Sequence, residues 1–283
     1  MTAKASATPA TTTAADYESA TIKAAKPIGH TSVVFKITFA DGRVAAFKPE
    51  SARGRLRYRS EAAAFRLQNA LGVTNVPTAL LVSLPSSALR NAGNADAQTL
   101  FDAEVKTHDG KVRGALMPWI VGLSFVPLES EPLRSKWRGW LRAGSTPDGP
   151  QSELAPEIAS LLAFDTITGN WDRWSGANVG LDAEKKHLLF VDNDGAFFEP
   201  VPQGLVKEHL ALVRGADRFP RSVIDAARKL DAAALDRALG LDETGAPLLT
   251  STQRSSILSR RDDLLGIIDA KVKSLGEDKV LSF

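Results

Sequence analysis

Apolar residues occupy every second position from Phe35 to Phe39. This period of two is typical of a β-strand with one buried face. An Asp-Gly pair at 41–42 follows, which is a strong signal for a two-residue hairpin turn. A second apolar segment then runs back to Lys48, and the proline after it marks the strand end because proline cannot donate to a sheet. The pattern predicts a β-hairpin with Lys48 at the end of its second strand.

Residues 58–71 contain many strong helix formers and neither glycine nor proline, and Gly72 follows them. We expect a helix here that carries Glu61, Phe65 and Gln68 on one face, since they are four and three positions apart. Glu61 then has two interpretations. It either turns inward to pair with Lys48, or it is an acid that the helix dipole favours in the first turn.

A second Asp-Gly pair at 109–110 predicts a second hairpin, with strands over 103–108 and 111–117 and a loop before it at 85–98. A short buried strand is expected over 188–191. Three later segments have apolar residues three and four positions apart and are predicted to be helices: 152–168, 222–239 and 252–275. The chain is therefore expected to be α+β, with a small antiparallel sheet followed by a mainly helical part.

The composition is that of an ordinary globular protein, with 43% hydrophobic and 24% charged residues. A net charge of +2 argues against nucleic acid as a main partner. The absence of cysteine excludes disulfides and cysteine-bound metals. Residues 1–15 lack the apolar segment of a secretory signal or a membrane span, so a flexible tail over 1–20 and a cytoplasmic location are expected. Secretion as an effector is the alternative, and the oligomeric state is left open.

The candidate chemistry lies in two polar loops. One contains Asp172, Arg173 and Asn178, and the other contains Asp192 and Asp194 directly after the expected strand. Phosphoryl transfer in kinases uses one carboxylate to orient the attacking hydroxyl, with an asparagine and a second carboxylate on the metal ions. Taken singly, such loops are equally typical of turns rich in Asn and Asp. The ordered set, together with a strand lysine and a helix glutamate, favours the kinase interpretation.

Several short segments resemble the atypical kinases of the phosphatidylinositol 3-/4-kinase-like group, which includes HipA-like kinases and Golgi casein kinase-like secretory-pathway kinases. They are residues 47–49, 61–67, 71–77, 169–173 and 191–193. The match spans roughly residues 25–200 in the order of its motifs. Residues 169–173 are similar to the family's Gly-Asn-x-Asp-Arg-His motif, and 191–193 to its metal-binding Asp motif.

The resemblance implies a two-lobed protein-kinase-like fold, with an N-lobe over 21–118 and a C-lobe over 119–283. It implies ATP and Mg²⁺ or Mn²⁺ as cofactors and a hydroxyl-bearing acceptor, with protein Ser/Thr favoured over a lipid or small molecule. The roles it implies are these: catalysis by Asp172, Lys48 and Glu61; nucleotide binding by Lys48, Ser32, Thr31, Met117 and Trp119; metal binding by Asp192 and Asn178, with Asp194 as a substitute for Asp192.

Other interpretations of these residues remain open. Ser32 and Thr31 also suit a plain turn, and Met117 and Trp119 also suit a hydrophobic core. Arg173 is expected either to keep Asp172 ionised or to brace the loop.

Two departures from the family pattern concern the catalytic loop. Trp174 stands where the family has histidine, and Asp172 and Asn178 are six residues apart rather than the usual five. Gly176 is a position where the extra residue could be absorbed. The departures favour the alternative of an inactive pseudokinase that acts as a binding module. A lipid or sugar kinase, or an AMP transferase on the same fold, are further alternatives.

Overall fold

The computed structural model describes residues 12–29, 32–199 and 203–283. Its first sheet has five strands, and every neighbouring pair is antiparallel. The spatial order places the fifth strand between the third and the fourth. The strands are β1 (Ile22–Pro27), β2 (Phe35–Phe39), β3 (Val44–Pro49), β4 (Leu80–Pro85) and β5 (Lys111–Pro118). A second, antiparallel sheet contains β6 (Ser124–Phe125), β7 (Val179–Leu181) and β8 (Leu188–Phe190).

The helices before β6 flank the first sheet, and most of the chain after β6 is helical. The described helices are α1 (Ala14–Glu18), α2 (Tyr58–Ala70), α3 (Ser86–Asn91), α4 (Ala95–Glu104), α5 (Leu133–Trp140), α6 (Ala155–Thr168), α7 (Gln203–Gly215), α8 (Arg221–Lys229), α9 (Ala232–Leu239), α10 (Ser251–Leu275) and α11 (Glu277–Val280). Among the described residues, no helix is both long and apolar enough to cross a membrane.

The first predicted hairpin is confirmed. Phe35 on β2 lies opposite Phe47 on β3, and the alternating apolar residues of β2 are buried as the pattern requires. Gly42 has a φ of +89°, a backbone conformation that glycine adopts without steric cost. The predicted α2 is also confirmed, because its helix spans Tyr58–Ala70 and Gly72 follows with a φ of +65°.

The second predicted hairpin is confirmed only at its turn, where His108 and Lys111 exchange backbone hydrogen bonds around Asp109-Gly110. The strand predicted over 103–108 is wrong. The fifth strand pairs with β3 and β4 instead of a strand at 103–108, and the expected loop at 85–98 is largely helical. Asn94 begins α4, because its side chain accepts a hydrogen bond from the backbone N–H of Ala97. That helix continues to Glu104, so residues 103 and 104 are not in a strand.

Two further predictions need correction. Residues 14–18 of the expected flexible tail form α1, where Thr13 and Asp16 make a capping box and Tyr17 packs on Phe39 with 5.3 Å between ring centroids. The helix expected over 222–239 is interrupted, because the Asp231 side chain accepts a hydrogen bond from Ala234 N and begins α9.

The described core consists of two hydrophobic clusters. One lies on the first sheet under α1, α3 and α4. The larger one includes α2, the second sheet and helices α5–α11, with α6 at its centre and nearly every α6 side chain buried. The second helix therefore joins the first sheet to the helical part, and α6 delivers the loop at 169–178 from the middle of the large cluster.

Candidate active site

Lys48 and Glu61 form a buried ion pair. The Lys48 Nζ lies 2.6 Å from Glu61 Oε1, and the residues are 7% and 4% exposed. The strand β3 directs Lys48 toward α2, and Gly114 on the neighbouring β5 leaves space for this strand. A Cβ at position 114 would lie only 2.4 Å from the Lys48 carbonyl oxygen. The ion pair predicted from the sequence is confirmed.

The same ammonium contacts the loop after β8. Lys48 Nζ lies 2.5 Å from Asp192 Oδ1 and 3.3 Å from Asp194 Oδ2. Burial disfavours the ammonium, but the carboxylates outweigh this effect and raise the pKa of Lys48 above its ordinary value. Glu61 also accepts a hydrogen bond from the backbone N–H of Asn193, at 3.1 Å. Three carboxylates thus surround one ammonium, which leaves the cluster with excess negative charge.

The two aspartates of this loop differ in their surroundings. Burial opposes ionisation of Asp192, but Lys48 lowers its pKa below the ordinary value. Burial and the neighbouring carboxylates raise the pKa of Asp194, although Lys48 opposes this. The Asp192 side chain is 42% exposed, compared with 10% for Asp194. Asp192 is therefore the carboxylate that an incoming ligand can reach most easily.

Arg173 contacts both polar loops, the one that contains Asp172 and the one that contains Asp192. Its side chain is fully buried and pairs with Asp165 on α6, at 3.0 Å from Nε to Oδ2. The guanidinium also donates to the carbonyl oxygens of Asn178 and Val191, each at 2.5 Å, and to Asn193 Oδ1 at 2.7 Å. These bonds join the loop of Asp172 to the loop of Asp192, so Arg173 braces the loops, which was one of its two expected roles.

Asp165 and Asn193 are structural members of the site that the sequence analysis missed. Burial raises the pKa of Asp165 to about 6, even though Arg173 lowers it. Asn193 donates from Nδ2 to the Phe190 carbonyl at 2.9 Å and so closes the turn after β8. The available signal for Asp165 was that it is the only acidic residue of α6 beyond the first turn, because an acid inside a buried helix requires a partner.

Asp172 and Asn178 lie on one compact loop. Asn178 Nδ2 donates to the Asp172 carbonyl oxygen at 2.7 Å, and Asn178 Oδ1 accepts no hydrogen bond from any described residue. Gly176 and Ala177 have φ values of +102° and +59°, so the loop turns sharply between Asp172 and Asn178. A Cβ at Gly195 would lie 2.8 Å from the Asp172 Cβ, which shows how closely the two loops approach each other.

The expected nucleotide-base residues lie at the end of β5. Met117 is half-buried opposite Ala46, and Trp119 is 39% exposed with Lys36 Nζ 3.9 Å from its ring centroid. The Trp119 backbone N–H donates to the Val44 carbonyl at 2.9 Å and is therefore not free for a base. An accessible aromatic ring beside the sheet is nevertheless suited to stacking.

Ser32 and Thr31, the other expected nucleotide-binding residues, lie between β1 and β2 in the chain. Ser32 is half-buried there, and Thr31 lies outside the described residues. Gly29 and Ser32 approach each other closely, because a Cβ at Gly29 would lie 2.1 Å from the Ser32 carbonyl oxygen. The roles of Ser32 and Thr31 stay predictions.

Similar proteins are found when structures are compared, but not when sequences are compared. Neither a family model nor a curated protein matches the chain. The Golgi casein kinase with Mn/ADP bound is similar in structure, with a TM-score of 0.71 at 15% identity, covering 95% of this chain and 77% of that one. The hydra Fam20 structure with sugar gives a TM-score of 0.69 at 15% identity, covering 94% of this chain and 90% of that one. The chain has an atypical kinase-like fold.

Because the fold is kinase-like, the residues described above can be compared with the side chains that protein kinases use. Protein kinases place a lysine on the third strand of the small sheet and pair it with a glutamate on the next helix. Lys48 on β3 and Glu61 on α2 have this arrangement. The catalytic-loop aspartate and asparagine of kinases, and their metal-binding aspartate, have candidates in Asp172, Asn178 and Asp192, whose individual roles stay predictions.

Proposed function

We propose that this chain is a metal-dependent phosphotransferase that moves the γ-phosphate of ATP to a hydroxyl group, with protein Ser/Thr as the favoured acceptor. The observation that carries the proposal is the buried contact of one ammonium, Lys48, with both Glu61 and Asp192. A lysine held between a helix and a metal-binding loop is the arrangement that positions nucleotide phosphates in kinases. Asp172 on the adjoining loop supplies a carboxylate at the same place.

The donor set fits a hard divalent cation with nucleotide phosphates. Asp192 offers an accessible carboxylate, and Asn178 offers an amide oxygen without a hydrogen bond from the described chain. No group of three or more His, Cys, Asp and Glu side chains within the described ranges could hold a metal ion alone. This agrees with Mg²⁺, which commonly binds through one or two carboxylates plus substrate phosphates. A bound Mg²⁺ or Mn²⁺ would neutralise charge on the phosphates.

Each protein group then has a distinct task. Lys48 binds the phosphates, and Glu61 holds Lys48 in position. Asp172 orients the acceptor hydroxyl and takes its proton, since its carboxylate makes no hydrogen bond or ion pair with a described residue. Arg173 keeps the two loops at a fixed separation. This division of tasks predicts that a single substitution can abolish phosphoryl transfer without weakening ATP binding.

A second candidate function is nucleotide binding without transfer, as in a pseudokinase that serves as a binding module. The observation that favours it is Trp174, which stands where the resembling family has histidine and packs on Trp137 with 5.7 Å between ring centroids. Transfer of AMP in place of phosphate, or an acceptor that is a lipid or a sugar, uses the same site. ATP labelled at the α- or the γ-phosphate distinguishes AMP transfer from phosphate transfer, and identification of the labelled product distinguishes the acceptors.

Substitution of Asp192 tests the nucleotide site directly. Asp192 has a φ of +55°, and asparagine tolerates this backbone conformation, so Asp192→Asn should fold normally. Loss of a metal-binding carboxylate should weaken ATP binding in Mn²⁺ by at least about tenfold, since even outer partners of metal ligands contribute that much. Isothermal titration calorimetry with ATP, in Mn²⁺ and in EDTA, measures the change.

Asp109→Asn is the matched control, because Asp109 also has a positive φ, +50°, but lies in an exposed turn before β5. It should bind Mn²⁺–ATP as the parent does. Equal Mn²⁺-dependent affinity in the parent and in the Asp192 variant would show that this carboxylate does not hold the metal.

A further inference from the structure

A cavity of about 570 Å³ opens beside Asp172, which is one of its lining residues. Its volume lies within the range of small-molecule sites in proteins. Helices α5 and α7 and the Asp172 loop form its walls. Its lining combines charged, aromatic and apolar side chains, among them Glu129, Arg134, Arg138, Trp171, Glu208 and His209. With Asp172 included, three carboxylates and two guanidinium groups line the cavity, so one negative charge is in excess and an anionic occupant is disfavoured.

His209 on α7 is the most informative residue of the lining. Only 9% of it is exposed, yet it reaches the cavity wall. Its imidazole makes no hydrogen bond with any residue that the structure describes. Burial, with a smaller effect of Arg173, lowers the pKa of His209 to about 4, so the ring is neutral at pH 7 and has one donor and one acceptor. Since no described residue hydrogen-bonds to the ring, its nitrogens are available to a ligand in the cavity.

A second unpartnered group lies next to the catalytic aspartate. The indole Nε1 of Trp171 is buried and has no hydrogen-bond acceptor in the described structure. Its ring packs edge-on against Phe198, with 6.3 Å between ring centroids, so its position is restrained. Trp171 on the Asp172 loop and His209 on α7 both line this cavity. Packing alone would not require a polar group at either position.

We propose that this cavity is the acceptor site and that His209 and the Trp171 N–H hold the acceptor by hydrogen bonds to its oxygen atoms. The part of the acceptor that enters the cavity is compact, hydroxyl-bearing and not anionic. A hydroxyl group suits both partners, because it donates to one and accepts from the other. The proposal rests on the proposed function in one respect, since it takes Asp172 as the group that receives the hydroxyl proton.

Acceptor kinetics test the assignment of His209. His209→Leu should raise the KM for the acceptor about five- to tenfold, the effect of one lost hydrogen bond, and leave the KM for ATP unchanged. His209→Gln should recover part of the loss, because an amide can replace one ring nitrogen. His187→Leu is the control, since His187 is an exposed imidazole between β7 and β8 that pairs with Glu157. Unchanged acceptor KM in His209→Leu would overturn the assignment while leaving phosphoryl transfer in place.

A binding measurement separates this proposal from the kinase activity. Glycerol, glucose, inositol and N-acetylserinamide are titrated into the protein while the Trp171 indole N–H signal is followed by NMR. At least one probe should shift the signal in the parent and have a smaller effect in His209→Leu. Trp171→Phe, which keeps the ring and removes the N–H, assigns the signal and should bind that probe more weakly.

The two experiments give distinguishable outcomes. A shift without any phosphoryl transfer supports the acceptor cavity and contradicts the proposed function. Phosphoryl transfer contradicts the acceptor cavity if no probe shifts the Trp171 signal and the acceptor KM is unchanged in His209→Leu and Trp171→Phe. This result leaves the proposed function standing. Absence of both binding and transfer contradicts both.

Discussion

Replacing Asp172 with asparagine should abolish most phosphoryl transfer and leave metal-dependent ATP binding unchanged. The substitution keeps the side-chain shape but removes the base that takes the acceptor proton, a contribution of roughly 10²–10⁴ in rate. Lys48, Asp192 and Asn178 remain in place, so the nucleotide site is unaffected. Turnover of labelled ATP and calorimetric ATP binding are measured on the same preparation.

Asp148→Asn provides the control, because Asp148 is an exposed aspartate in the turn region after α5. It should turn over ATP and bind it as the parent does. If Asp172→Asn transferred phosphate at the parent rate, Asp172 would not be the hydroxyl-orienting group. If the variant also lost ATP binding, the separation of tasks within the site would be wrong.

Arg173→Ala should be the most destabilising single substitution at the site. It leaves Asp165 buried without its cation and removes the bonds to the Asn178 and Val191 carbonyls. Removing one partner of a buried ion pair lowers the free energy of unfolding by about 3–5 kcal/mol. For a chain of this size the melting temperature should fall by roughly 5–15 °C. Thermal unfolding followed by circular dichroism measures the shift.

The double variant Arg173→Met with Asp165→Leu should be less destabilised than Arg173→Ala, because it leaves no unpaired charge in the interior. Arg228→Ala is the surface control. Arg228 pairs with Asp225 and Asp269 at exposed positions, and its loss should change stability by no more than about 1 kcal/mol. An Arg173→Ala variant as stable as the Arg228 control would exclude the bracing role.

Local signals in the sequence were sufficient for the elements that carry Lys48 and Glu61. The first hairpin has a strict alternation and a turn that requires glycine at position 42, and α2 contains neither glycine nor proline. Both features depend on neighbouring residues only, so the pattern alone determines them. The order of the two polar loops along the chain then predicted that Asp172 and Asp192 belong to one site.

The partner of β5 could not be predicted in the same way. An Asp-Gly pair at 109–110 suggested a local hairpin, but β5 pairs with β4, which lies on the far side of α3 and α4. The pairing of two strands that are separated by two helices depends on the packing of the whole sheet. A short segment of sequence does not contain that information. The signal for α4 was present at Asn94, a favoured helix-capping residue followed by Ala, Gln and Leu positions.

The contacts that hold the loops of the site in place could be identified only from the structure. The contacts of Arg173 with Asp165 and with the Val191 carbonyl join residues from three separate elements. Sequence reasoning left the role of Arg173 open because nothing in a loop shows whether its arginine points outward or into the core. The same holds for His209, whose place in the cavity wall follows from the packing of α7 beside the Asp172 loop.

The most direct test of the central claim uses ATP labelled at the α- or the γ-phosphate, with Mn²⁺ or Mg²⁺ and panels of protein, lipid and small hydroxyl acceptors. The parent should transfer the γ-label to an acceptor and leave the α-label on the nucleotide. Lys48→Met should lose this transfer, because it removes the ammonium that contacts Glu61 and Asp192. Transfer of the α-label, or tight metal–ATP binding by the parent without transfer to any acceptor, would contradict the account.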